Sequence, residues 1–232
     1  MAGTSPTAPA DAVAAAMKDG KTHLLLACTG SVATIKLPQI VTALNHESLS
    51  IRIVLSDSAA KFLRGQSAEQ PTLDSIAALP SVDGVYRDSD EWDPSWVRGA
   101  GILHINLRKW ADILVIAPLS ANSLAKISSG FSDSLLMSII RAWDASGLVD
   151  GQGPQDKKRI LVFPAMNTAM WLHPVTESQI AVLEGWDWFE VFRPVGKALA
   201  CGDVGVGAMR EWAEVVTIIQ QRLGLLYLSD DF

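Results

Sequence analysis

The sequence predicts an α/β protein built on a parallel sheet, and three observations predict it. Short apolar runs, His23–Cys28, Ile51–Leu55, Ile113–Ala117 and Arg159–Phe163, recur with helical stretches between them. Within them the apolar residues are consecutive rather than alternating, with Arg52 the one interior interruption, as in strands buried on both faces. Each run ends in a turn of small or polar residues, the place where open α/β sheets hold small ligands.

Composition fits that class. The chain has 232 residues, 49% hydrophobic and 19% charged, enough for one core but thin for two. We read residues 21–223 as a single domain, residues 1–20 as a flexible N-terminal arm and 224–232 as a short C-terminal tail. The arm lacks the basic start and Leu-rich centre of a secretory leader, and no apolar run approaches the ~18 residues of a membrane helix. A net charge of −6 leaves no electrostatic footprint for nucleic acid or an anionic membrane. Cys28 and Cys201 are the only cysteines, which favours a reducing compartment, and a cytoplasmic protein is expected.

Taken in order, His23–Cys28 is the first strand. Thr29-Gly30-Ser31 breaks it, and a helix is predicted from Val32 to Asn45. Gly30 permits close backbone approach, and Ser31 is a candidate cap whose turn can face an anion. The further glycines of a dinucleotide fingerprint are missing, so the turn suits a mononucleotide phosphate, or no ligand at all. Ile51–Leu55 is the second strand and ends in Ser56-Asp57-Ser58. There Ser58 reads equally as a ligand contact and as a helix cap. From Gly65 to Gly99 the pattern loosens into a long connection. Its acidic run, Asp88 to Glu91, reads as a solvated face, and Tyr86, Trp92 and Trp96 as aromatics packing the loop onto the body, with a subunit contact or a stack on a planar ligand as the alternatives.

His104 opens the next helix, with Leu103, Leu107 and Trp110 forming its buried stripe. Ile113–Ala117 follows as the central strand, leading into Ser120-Ala121-Asn122-Ser123 at the start of a helix. Ser132-Asp133 is expected to cap another helix running to Trp143, and 145–158 is a polar linker. The strand at 159–163 ends in Pro164–Trp171, where Asn167 can offer its amide to a carboxylate or cap a short helix. His173 is expected to be structural. A last strand, Trp188–Phe192, leads to Gly196–Met209, where four glycines around Cys201 suggest a mobile flap able to close over a substrate. Zinc spacing, a Walker loop and a catalytic triad are all lacking, and no metal is expected.

Four separated motifs carry a resemblance: Thr29-Gly30-Ser31-Val32-Ala33, the stretch from His104 to Asn122, Pro164–Trp171, and Leu199–Met209 with its Ala-Cys-Gly-Asp core. Together they strongly resemble the flavin-dependent cysteine decarboxylases. That likeness implies a flavodoxin-like (Rossmann-like) three-layer sandwich, FMN as cofactor, and a homotrimer with sites at subunit interfaces. It places Gly30, Ser31, Val32, Ser56, Ser58, Ser120, Asn122, Ser123 and Ala165 at FMN. Asn167, Met170 and Ala200 would meet the substrate, with Asn167 on its carboxylate. His104 would be the active-site histidine and Cys201 the proton donor. The implied reaction is decarboxylation of 4'-phospho-N-pantothenoylcysteine to 4'-phosphopantetheine in coenzyme A biosynthesis. It runs by transient oxidation of the thiol to a thioaldehyde, loss of CO2 and re-reduction.

Asn106 and Phe131-Ser132-Asp133-Ser134 depart from the family's wording. Two alternatives use the same fold: a regulatory subunit of a protein phosphatase, possible also in a mixed trimer, and a flavin-dependent decarboxylase of another cysteine-containing substrate. His104 and Cys201 together argue against a catalytically dead subunit.

Overall fold

The four apolar runs are strands in the computed structural model, which describes residues 8–93, 95–151, 153, 157–198 and 204–225. They are β1 (Thr22–Cys28), β2 (Leu49–Leu55), β4 (Ile113–Leu119) and β5 (Ile160–Pro164). Two outer strands, β3 (Val82–Tyr86) and β6 (Phe189–Val191), complete a six-stranded sheet. Every pairing in it is parallel, and the strand order is β3-β2-β1-β4-β5-β6. The order reverses between β1 and β4, and a crevice therefore opens beyond their carboxyl ends.

Successive side chains of a strand point to opposite faces, and the core divides accordingly. Leu25, Ala27, Leu114, Ile116 and Val162 face one layer, with α5 (Leu103–Trp110), α6 (Ala121–Ser128), α7 (Leu135–Arg141) and α9 (Pro174–Glu184). Leu24, Leu26, Cys28, Val115, Leu161 and Phe163 face the other, with α2 (Leu37–Ala43) and α10 (Trp212–Leu223). This is the expected three-layer α/β sandwich of flavodoxin-like type.

The structure also corrects several expectations. Residues 9–15, placed in a flexible arm, form helix α1 (Pro9–Ala15), which buries Ala10 and Val13 against α5. Pro9 sits where a helix tolerates it, but a stretch of small residues carries almost no amphipathic signal. The predicted helix 32–45 starts as a 3-10 turn, Val32–Lys36, and restarts at Leu37. Pro38 fits the first turn of a new helix and not the interior of a longer one. Ser134, rather than Ser132-Asp133, caps α7 by accepting the Met137 N–H at 3.4 Å.

The loose connection 65–99 holds α4 (Leu73–Ala77), β3 and a 3-10 turn, Asp88–Glu91. Tyr86 packs inward, but Trp92 and Trp96 are 63% and 47% exposed. The acidic turn is not a solvated face: Asp88 accepts the Leu135 N–H at 2.9 Å, and the Glu91 side chain is 5% exposed.

The flap's two arms pair as an antiparallel ladder, β7 (Val195–Ala198) with β8 (Val204–Ala208). Two of its glycines, Gly205 and Gly207, serve close approach. A Cβ on Gly207 would lie 2.5 Å from the Met166 carbonyl oxygen, φ there is +126°, and a Cβ on Gly205 would strike Thr168. Met166 N–H donates to the Gly207 carbonyl at 2.9 Å, so β8 is laid directly on the chain leaving β5.

Candidate active site

Parallel topology carries the ends of β1, β2, β4 and β5 to one edge of the sheet, and a cavity of about 790 Å³ opens there. That volume lies within the roughly 300–1,000 Å³ of small-molecule sites. The turn after β1 contributes Gly30, Ser31 and Val32, and the turn after β2 contributes Ser56 and Ser58. The two turns touch, because a Cβ on Gly30 would stand 2.7 Å from the Ser58 Cβ. Only glycine allows that approach.

The hydroxyls divide into anchored and open ones. Ser56 caps α3 (Asp57–Ala60), accepting the Ala59 N–H at 3.1 Å, so the capping role belongs to Ser56 and not to Ser58. Ser120 caps α6, accepting the Ser123 N–H at 3.3 Å. Ser31 makes no side-chain capping bond, which corrects the expected cap, and the residue lines the cavity. From the turn after β4 come Ser120, Asn122 and Ser123, and from the end of β5 Ala165, Asn167 and Met170.

Thr29, which sequence reasoning passed over, holds the floor together. It is fully buried. Its N–H and hydroxyl both donate to the Pro118 carbonyl at 3.0 Å, while its Oγ1 accepts the Ser120 N–H at 2.7 Å. One side chain thus ties the end of β1 to the end of β4 at the point where strand order reverses. The only signal in the sequence was a threonine directly before Gly30.

Asn167 is the N-cap of α8 (Thr168–Trp171), its Oδ1 accepting the Met170 N–H at 2.8 Å. The two roles considered for it are therefore compatible: the oxygen caps, and the Nδ2 donors remain. Apolar wall comes from Leu136, Met137, Met166, Met209 and Trp212, and charge from Lys36, Lys126, Asp88 and Asp133. Lys126 pairs with Asp133 at 2.6 Å. Burial pushes the Asp88 carboxyl up, aided by Asp57 and Asp133 and opposed by the Leu135 N–H and Lys126. Cys28 lies below this edge with its thiol pushed up by burial and donating to the Ala117 carbonyl at 3.0 Å. It is a packing residue rather than a nucleophile.

His104 is not among the residues lining this cavity. It stands at the first turn of α5, with Nδ1 2.7 Å from Glu91 Oε1 and its N–H donating to Glu91 Oε2 at 3.2 Å. Because α5 leads into parallel β4, its N-terminus lies at the same edge of the sheet as the cavity. Cys201 and Ala200 lie outside the described residues.

Fold and cavity together define a class: a doubly wound α/β protein with a mononucleotide-sized site at its topological switch point. The chain belongs to the Flavoprotein family, whose model matches residues 13–224. It is 39% identical over 216 residues to phosphopantothenoylcysteine decarboxylase of Mus musculus, covering 93% of each chain. Two fungal relatives are longer. The chain spans 36% of Coenzyme A biosynthesis protein 3 from Saccharomyces cerevisiae and 30% of a probable thymidylate synthase from Schizosaccharomyces pombe, at 36% and 38% identity over 92% and 90% of itself. Among solved structures, a PPC decarboxylase mutant complexed with pantothenoylaminoethenethiol aligns with TM-score 0.73 and 38% identity, over 88% of this chain and 99% of that one. The FMN binding protein AtHal3 aligns with TM-score 0.70 and 39% identity, over 88% and 97%.

The residues present fit FMN. Open and capping hydroxyls and a backbone-close glycine turn suit a phosphate, and the methionine- and tryptophan-bearing wall suits a planar ring.

Proposed function

We propose that the chain is an FMN-dependent decarboxylase of 4'-phospho-N-pantothenoylcysteine, producing 4'-phosphopantetheine for coenzyme A biosynthesis. The observation that carries this reading is the cavity itself. Eleven positions that the resemblance assigns to cofactor and substrate line one space in the fold shared with decarboxylase structures. We take residues 21–223 as the FMN-binding unit.

When bound, FMN supplies a two-electron sink for the substrate thiol and returns the pair after CO2 has left. The protein's part is binding, orientation and proton handling. Ser31, Ser56 and Ser58 would hold the phosphate, with Gly30 keeping the backbone close. Ser120, Asn122, Ser123, Val32 and Ala165 would line the remainder of the cofactor. The Asn167 Nδ2 would donate to the substrate carboxylate, with Met170 beside it. His104 would hold or move a proton at Nε2. Cys201, with Ala200 beside it on the flap, would give the final proton.

A homotrimer belongs to this reading. His104 lies outside its own chain's cavity, so a neighbouring subunit is the natural recipient of its imidazole. Trp92, Val97, Leu148 and Val149, 63–73% exposed, are apolar surface that such a partner would cover. We place the protein in the cytoplasm, where a buried free thiol such as Cys28 persists. No helix among the described residues is long and apolar enough to cross a membrane.

The test is direct. Purified protein should be yellow with a flavin spectrum, should sediment as a trimer, and should release CO2 from 4'-phosphopantothenoylcysteine. A colourless preparation without turnover that instead inhibits a protein phosphatase would replace this reading with the regulatory one.

A further inference from the structure

The acidic turn after β3 contains a carboxylate that the reaction scheme leaves unused. Glu91 is more deeply buried than the imidazole it touches: its side chain is 5% exposed against 22% for His104. Burying a carboxylate is costly unless both oxygens find donors, and here both are spent on one residue. Oε1 lies 2.7 Å from Nδ1, and Oε2 accepts the His104 backbone N–H at 3.2 Å. The turn that presents it is itself held. Asp88 accepts from Leu135 at 2.9 Å, and Asp90 accepts from the Arg87 N–H at 2.7 Å.

We propose that Glu91 is a positioning residue that fixes the tautomer and ring orientation of His104, making Nε2 the working nitrogen. The inference rests on the reading of His104 as an active-site group. A carboxylate can only accept, so the nitrogen facing it carries the proton and the opposite one is left unprotonated. The second oxygen, on the backbone N–H, keeps the carboxylate from turning away. A 180° flip of the ring would break the bond to Oε1 and present a C–H in its place. Nε2 has no hydrogen-bond partner among the described residues, and it is the atom left to meet a ligand. A helix cap alone would need only the Oε2 contact. The Oε1 contact is what a purely structural role does not explain.

The experiment uses the intact, flavin-loaded protein, wild type and Glu91→Gln, with ¹⁵N-labelled histidine. The wild type should show His104 with Nδ1 protonated and Nε2 bare. Glu91→Gln can still cap the backbone N–H, but its amide can now donate to Nδ1. The Nε2–H form should therefore appear, and kcat should fall by about tenfold or more, within the range set by proton transfer. KM, flavin content and melting temperature should stay close to wild type. A wild-type spectrum with Nε2 protonated overturns the proposal even if the variant fails to fold. So does a Glu91→Gln protein with unchanged tautomer and unchanged kcat. If the wild type neither holds flavin nor releases CO2, the proposed function fails instead, and the imidazole spectrum still decides the pairing.

Discussion

At the scale of single residues, the site depends on two polar side chains, Thr29, which bonds in two directions, and Asn167, which bonds through its oxygen. Thr29 donates to Pro118 and accepts from Ser120, so replacing its hydroxyl with a methyl leaves a buried N–H unpaired. Thr29→Val should cost about 1–3 kcal/mol, or roughly 2–12 °C in melting temperature for a chain of this size, and a thermal melt will show it. Asn167 caps with its oxygen and presents its nitrogen. Aspartate caps a helix equally well but cannot donate. Asn167→Asp should therefore melt with the wild type while kcat/KM falls at least about tenfold, the loss of a hydrogen bond to a charged group. Full activity in that variant would remove Asn167 from substrate binding. The site's hydroxyls and amide were legible in the sequence because they sit in turns at strand ends or in motifs of the resemblance. The roles of Thr29 and Glu91 were not. A buried threonine looks like strand filler, and a carboxylate in an acidic run looks like surface until the fold shows which donor it meets.

At the scale of elements, the central strands and the outer β6 were readable, and β3 and α1 were not. Consecutive apolar residues announce β1, β2, β4 and β5, since they are covered on both faces. β3 reads Val-Asp-Gly-Val-Tyr, half-exposed at the sheet's edge, without a clean period of either kind. Its Gly84 leaves room for the Tyr86 side chain, whose hydroxyl oxygen would lie 2.6 Å from a Cβ there, a requirement no local pattern reveals. Helix α1 escaped notice for a related reason: two small buried residues, Ala10 and Val13, are its whole apolar face. That face nevertheless docks on α5, the helix carrying His104. Val13→Ala removes about two methylene equivalents, or roughly 1.6 kcal/mol, and should lower the melting temperature by about 3–6 °C. No change would mean that residues 9–15 contribute nothing to the stability of the domain.

At the scale of the whole molecule, the cavity stands beyond the carboxyl ends of the strands, at the seam between β1 and β4 and not beside an outer strand. A ligand that binds there and not to the unfolded chain stabilises everything by mass action. FMN at one hundred times its dissociation constant should add about 2.7 kcal/mol, a rise of roughly 5–11 °C measurable by adding FMN to stripped protein. An unchanged melting curve would mean that FMN does not bind. The Thr29 bridge across that seam has one more consequence. The ground beneath the ligand is set before anything arrives, since its hydrogen bonds are made by the protein to itself. Capture then loses little freedom at that surface, because the floor has nothing left to order.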